Sequence, residues 1–194
     1  MKLYLIRHGQ SEANLHKMHA GWGQFPLTDK GREDARRAGK ILESLTFDKI
    51  YSSDLVRAIE TQQIAYPSNS AERSPLIREI NAGSLAGRTF AECLEEYGEP
   101  YANHRRLFDY SAYGGESYDE LCSRIRAFLD VLEQSPYEAV AAFCHGGIIT
   151  TLIDVITGER HERGRFACEN GSVSVFEYKD EKWKLRLWNY TGSI

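Results

Sequence analysis

The chain of 194 residues is 42% hydrophobic and 27% charged, with a net charge of −4; this composition excludes wholesale disorder and suits one domain, 1–194, with a core of its own. The acidic balance argues against a nucleic-acid partner held by broad phosphate neutralisation, while a local cluster of cations would still hold a small anion. No apolar run approaches the ~18 residues of a membrane span and the apolar stretch before Arg7 is too short for a secretory signal, so a cytoplasmic location and no membrane partner are expected.

In chain order, Leu3–Ile6 is a continuous apolar run, the pattern of a strand buried on both faces. Thr28 is placed to cap a helix through Ala35, Ala38, Ile41, Leu42 and Leu45. Lys49–Ser52 reads as a short strand, after which Ser53 or Asp54 caps a helix carrying Leu55, Ala58, Ile59 and Ala65. Pro67-Ser68-Asn69-Ser70 is a short linker-like stretch. From Tyr118, the apolar residues Leu121, Cys122, Ile125, Phe128, Leu129 and Leu132 recur at helical spacing. Ala139–Cys144 is a second buried strand, followed by a helix from about Gly147 through Ile156. Val173–Tyr178 and Lys182–Tyr190 form a closing hairpin turned at Lys179-Asp180-Glu181. Strands alternating with helices predict an α/β domain with a mostly parallel sheet. Ligands in such folds bind beyond the carboxyl ends of the strands, and two groups fall there: Arg7-His8-Gly9 after the first strand and His145-Gly146-Gly147 after Ala139–Cys144.

The four cysteines, Cys93, Cys122, Cys144 and Cys168, are widely spaced with no C-x-x-C, so free thiols are expected rather than a zinc site or a disulfide framework. The sequons at Asn170 and Asn189 carry little weight without secretion. His16 and His19 stand at i, i+3 spacing but lack a carboxylate or thiol partner at ligand spacing, so no metal is expected. His161 lies among charges and reads as a surface turn. Trp22 reads as core.

Arg7-His8-Gly9-Gln10-Ser11, with Asn14 following, resembles the signature of the histidine phosphatase superfamily, the phosphoglycerate mutase-like proteins. The resemblance continues through Gly21-Trp22, Pro26-Leu27-Thr28 and Gly31. It runs on in Ser52-Ser53-Asp54-Leu55-x-Arg57-Ala58-x-x-Thr61, Arg78-Glu79-Ile80-Asn81-x-Gly83, Gly114-Gly115-Glu116-Ser117, His145-Gly146-Gly147 and Asn170-Gly171-Ser172-Val173. These blocks stand in family order across nearly the whole chain, and they imply a three-layer α/β/α sandwich of the phosphoglycerate mutase type.

The implied chemistry is physically coherent. Phosphoryl transfer is mostly positioning and charge stabilisation. Neutral imidazole is available as a nucleophile near pH 7, and the resemblance gives that role to His8, as a phosphohistidine. Arg7 and Arg57 would clamp phosphoryl oxygens with the planar guanidinium fork. His145 would add a donor, and Gly146 and Gly147 open a helix whose free N–H groups attract anions. Glu79 matches the family's acid; a free Glu is only roughly 0.2% protonated at pH 7, so the site would have to favour its neutral form. Asn14 and Gly21 match positions near the phosphate pocket. Arg105 and Arg106, in His104-Arg105-Arg106, would contact a second anionic group on the substrate or lie on a solvated helical face.

The family often has an aromatic residue where this chain has Ala82, and an aromatic–acidic pair where it has Leu85 and Ala86, so the leaving-group pocket is expected to differ. Cofactor-dependent mutases of the family carry an added segment near Tyr97–Tyr113, and the shortness of this chain there favours the phosphatase branch. A metal-independent phosphatase acting on small phosphorylated metabolites is therefore expected, with no cofactor. The alternatives are a mutase and a non-catalytic phospho-ligand binder. Dimers are the commonest assembly of soluble chains, and a homodimer is carried as a bare expectation.

Overall fold

The computed structural model describes residues 1–68 and 71–192. Its strands are β1 (Lys2–Arg7), β2 (Lys49–Ser52), β3 (Glu72–Arg73), β4 (Ala139–Cys144), β5 (Val173–Lys179) and β6 (Lys182–Tyr190). They form one sheet in the order β3-β2-β4-β1-β5-β6. The pairs β2–β3, β2–β4 and β1–β4 are parallel, and β5 joins β1 and β6 antiparallel. The helices are α1 (Glu12–Leu15), α2 (Asp29–Leu42), α3 (Val56–Ala65), α4 (Phe90–Leu107), α5 (Tyr118–Glu133) and α6 (Gly146–Thr157).

Alternation along the central strands separates two cores. Leu3, Leu5, Val140, Ala142 and Cys144 pack with Leu121, Ile125, Phe128 and Leu129 of α5 and with Ile148, Ile149 and Leu152 of α6. Ile6, Ala141 and Phe143 face the other way, onto Ala38 and Leu42 of α2 and Ala65 of α3. The continuous apolar runs in β1 and β4 follow from this: covered by helices on both faces, these strands have no polar side. The expected three layers and mostly parallel sheet are present, and no helix among the described residues is long and apolar enough to cross a membrane.

Local details depart from the pattern. The α2 helix stops at Leu42, and Leu45 instead closes a turn by donating its N–H to the Leu42 carbonyl. The residue capping α3 is Leu55, with no side-chain cap. Ser53 still receives the Leu55 N–H at 3.3 Å, but its hydroxyl is also engaged with His145, and the Asp54 carboxylate is taken by Arg78 Nε at 2.6 Å. Gln24 Oε1, distant in sequence, accepts the Val56 N–H at 2.9 Å. The hairpin turns at Asp180 and Glu181, both at positive φ, as a two-residue type I′ connection requires.

The sequence pattern gave no sign of α1 or β3, and of α4 only the helical face at His104-Arg105-Arg106. The α4 helix is two helical pieces joined at Gly98 (φ 60), two residues before Pro100. The linker-like stretch lies partly outside the described residues, at Asn69 and Ser70.

Candidate active site

The register of the parallel strands assembles the site. Arg7 on β1 stands beside Cys144 on β4, and Ser52 on β2 beside Phe143 on β4. The residues that follow, His8, His145 and Ser53, therefore emerge in a row at the carboxyl ends of three neighbouring strands. The His8 and His145 rings come within 5.2 Å, centroid to centroid. Both are buried, His8 at 3% exposure.

His8 Nδ1 lies 2.7 Å from the Gly9 carbonyl oxygen. A carbonyl only accepts, so Nδ1 carries the proton and Nε2 keeps its lone pair. Burial holds the imidazole well below its ordinary titration range, and the guanidiniums of Arg57 and Arg7 add to the effect. Gly9 is required here by space: a Cβ on it would stand 2.1 Å from the Gly31 carbonyl oxygen.

Arg57, in the first turn of α3, is wholly buried. Its terminal nitrogens donate to the Gly23 and Gly21 carbonyls, each at 2.9 Å. Burial lowers it to about 10, partly offset by Glu79, so it stays charged at neutral pH. Gly21 is therefore a backbone acceptor for Arg57. It adopts φ +47, and a Cβ on it would stand 2.9 Å from the Ala82 Cβ. Arg7 donates to the Cys168 carbonyl and packs under Gly146, where a Cβ would lie 3.1 Å from Arg7 Nε. His145 Nε2 is 2.8 Å from Ser53 Oγ.

Three buried polar atoms around His8 have no partner among the described residues: Arg7 Nε, Arg57 Nε and His145 Nδ1. Buried donors are almost always satisfied. Two guanidinium N–H groups and an imidazole nitrogen left open at the end of a sheet make a cradle for an anion of several oxygens.

Glu79 sits across the same cavity, half-buried. Its oxygens accept from Ile80 N at 3.0 Å and Gly147 N at 3.2 Å. The N–H of Gly147 at the start of α6 is thus occupied by the chain's own carboxylate rather than left for a ligand. Glycine is needed there, since a Cβ would fall 2.1 Å from Glu79 Oε1. Asn14 lines the cavity; its Oδ1 accepts from Ser11 and from Asn170 Nδ2 at 3.2 Å, which leaves its Nδ2 as the group able to donate inward.

Other expectations are corrected. Arg106 faces away from the cradle and pairs with Glu162 at 3.6 Å. Arg105 stacks on Phe90 at 4.4 Å and, unlike Phe90, does not line the cavity. Trp22 is 38% exposed, lies over the Arg78 guanidinium at 4.7 Å and donates Nε1–H to the Glu79 carbonyl at 2.8 Å; it braces the Glu79 segment from outside. His16 and His19 share no helix, because α1 ends at Leu15. His16 is exposed, while His19 is buried against Tyr101 at 2.7 Å and lines the cavity. His161 is tied to the buried Asp154 at 2.6 Å and so is more than a surface turn. The pattern gave no warning of Phe90, Phe108, Tyr110, Arg163 or Phe166, which line the outer part of this cavity of about 250 Å³. They come from three separate segments that only the fold brings together.

The sequence profile of the histidine phosphatase superfamily (branch 1) matches residues 3–191. The chain belongs to that superfamily. Among its relatives, a 2,3-bisphosphoglycerate-dependent phosphoglycerate mutase of Azorhizobium caulinodans is 34% identical over 166 residues, 79% of this chain and 80% of the relative. That mutase is therefore close to this chain in length, and length does not set this chain apart from it.

Two solved superfamily folds superpose along almost the whole chain. An Escherichia coli protein assigned as an alpha-ribazole-5'-P phosphatase has a TM-score of 0.87 and 25% identity, covering 98% of this chain and 97% of its own. The phosphoserine phosphatase of Entamoeba histolytica, solved with phosphoserine, has a TM-score of 0.82 and 26% identity, covering 98% of each.

Proposed function

We propose that the protein is a metal-independent phosphomonoesterase acting on small phosphorylated metabolites through a phosphohistidine at His8. The observation that carries the reading is the set of three buried, unpartnered nitrogens around an imidazole whose tautomer leaves Nε2 as the lone-pair atom.

His8 Nε2 attacks phosphorus, and the bond from phosphorus to the leaving oxygen breaks. Arg7, Arg57 and His145 hold the three equatorial oxygens as charge spreads over them. Asn14 Nδ2 adds a donor. Glu79 gives its proton to the leaving oxygen and then, as carboxylate, takes one from water as that water attacks phosphorus. The P–N bond breaks, phosphate leaves and His8 is restored. The guanidiniums supply the positive charge that a metal supplies in other phosphatases.

Hydrolysis is favoured over transfer by the walls of the cavity. Beyond the cradle they carry Phe90, Phe108, Tyr110, Phe166, Ile80 and Met18. Such a wall suits the body of an ester larger than a three-carbon acid. The mutase reading is favoured by the Azorhizobium relative, and one experiment separates them. Phosphate release is measured from a panel of phosphorylated metabolites and one aryl phosphate, with a chelator present, for the wild type and His8→Ala. Release by the wild type and none by the variant is the expected result. No release together with interconversion of phosphoglycerates would establish the mutase. Full activity in His8→Ala would remove the phosphohistidine.

A further inference from the structure

We propose that Arg163 is a specificity-determining residue that binds a second anionic group, a carboxylate or phosphate, on the part of the substrate remote from the phosphorus atom. The inference rests on the phosphomonoesterase reading of the same cavity and adds a substrate class to it.

Three observations carry it. First, Arg163 lines the cavity without a carboxylate partner among the described residues. Its contacts are a hydrogen bond to Tyr110 Oη at 2.7 Å and the face of Phe108 at 4.5 Å. Arg78 is neutralised by Asp54, Arg106 by Glu162 and Arg124 by Glu116, while Arg105, which has no carboxylate partner among the described residues, does not line the cavity. A guanidinium fixed by a hydroxyl and a ring, with its remaining donors open, is a preorganised anion site.

Second, the charges in the cavity do not balance for a plain monoester. Its walls carry Arg7, Arg57 and Arg163 against the single carboxylate of Glu79. With Glu79 protonated for its role as acid, the two cradle arginines match the phosphoryl dianion and Arg163 is left over. The wall beside it adds no further charge: burial, with the fields of Arg163 and Arg105, pushes His19 down to about 4, so that ring is neutral at pH 7.

Third, the segment that presents Arg163 is pinned. It joins α6 to β5 without regular structure, yet His161 Nδ1 meets Asp154 Oδ1 at 2.6 Å and Tyr118 donates to Asp154 Oδ2 at 2.6 Å. Phe166 packs edge-on against Trp188. A buried carboxylate with two donors, unused by the chemistry, holds this strap over the cavity. The cation expected of Arg105 or Arg106 is thus supplied from a different segment.

The test compares phenyl phosphate with 4-carboxyphenyl phosphate. Steady-state kinetics are measured on the wild type and Arg163→Gln, and equilibrium binding of both esters on the non-hydrolysing His8→Ala protein with and without Arg163→Gln. A charged hydrogen bond lost at such a site should lower kcat/KM and affinity for the carboxylated ester about tenfold to a hundredfold. The change should fall on KM, with phenyl phosphate within about twofold. Equal losses on both esters, or no loss on either, would overturn the role of Arg163 while leaving the phosphomonoesterase reading intact. If neither ester is bound or hydrolysed by any of these proteins, that reading fails and the inference fails with it.

Discussion

His8 and Glu79 divide the proposed reaction between an imidazole kept neutral and a carboxylate that has to carry a proton. Glu79→Gln keeps the amide in reach of Gly147 N but cannot give up a proton to a leaving alkoxide. Turnover should fall at least about a hundredfold for alkyl esters and much less for an aryl ester with an acidic leaving group. Equal losses across a leaving-group series would remove Glu79 as the acid.

The histidines also couple stability to pH. His8, His19 and His145 are all held below the ordinary value near 6.5, each first by burial. In the unfolded chain they take up protons as the pH drops below about 6.5, whereas the folded protein resists. The unfolded state therefore binds more protons in that range, and stability is lost as pH falls. The melting temperature without phosphate should decline from pH 7 toward pH 5, with up to about one proton per histidine taken up on unfolding. A flat profile would contradict the burial of these rings.

Elements deliver the site in two ways. Parallel strands β1, β4 and β2 end together, so register alone aligns His8, His145 and Ser53. The Glu79 segment has no regular structure and is held from α5: Arg124 donates to the carbonyls of Leu76 and Arg78 at 2.9 and 2.8 Å and pairs with Glu116 at 2.8 Å. The strap between α6 and β5 depends on Asp154 in the same manner. Removing that anchor in Asp154→Asn should free Arg160, Arg163 and Arg165 and speed tryptic cleavage between α6 and β5 several-fold. Cleavage at the wild-type rate would mean that the strap is held by its other contacts.

The whole molecule stores an unmet demand for an anion, since two buried guanidinium N–H groups and an imidazole nitrogen stand without a partner among the described residues at the sheet end. An anion that binds only the native state stabilises it by about 2.7 kcal/mol at a hundred times its Kd. Inorganic phosphate should therefore raise the melting temperature of the wild type, and do so far less in Arg57→Gln. An equal rise in both would place the bound anion elsewhere.

Much of this was legible from the chain alone, and for a physical reason. Strands covered on both faces have to be apolar throughout, and helices packed on one side have to repeat at 3.6 residues; β1, β4, α5 and α6 therefore announce themselves, and the chemistry of His8, Arg7, Arg57 and His145 sits in contiguous blocks beside them. Local pattern does not encode contacts between distant segments. The α3 helix is capped at Leu55 because Ser53 and Asp54 are spent on His145 and Arg78. Likewise Arg163, and not Arg105 or Arg106, reaches the cavity because Asp154 and Tyr118 pin its strap there while Glu162 draws Arg106 away. The residue types of the phosphoryl cradle were set by the sequence; the shape and charge of the cavity around the leaving group were decided only where distant segments close on one another.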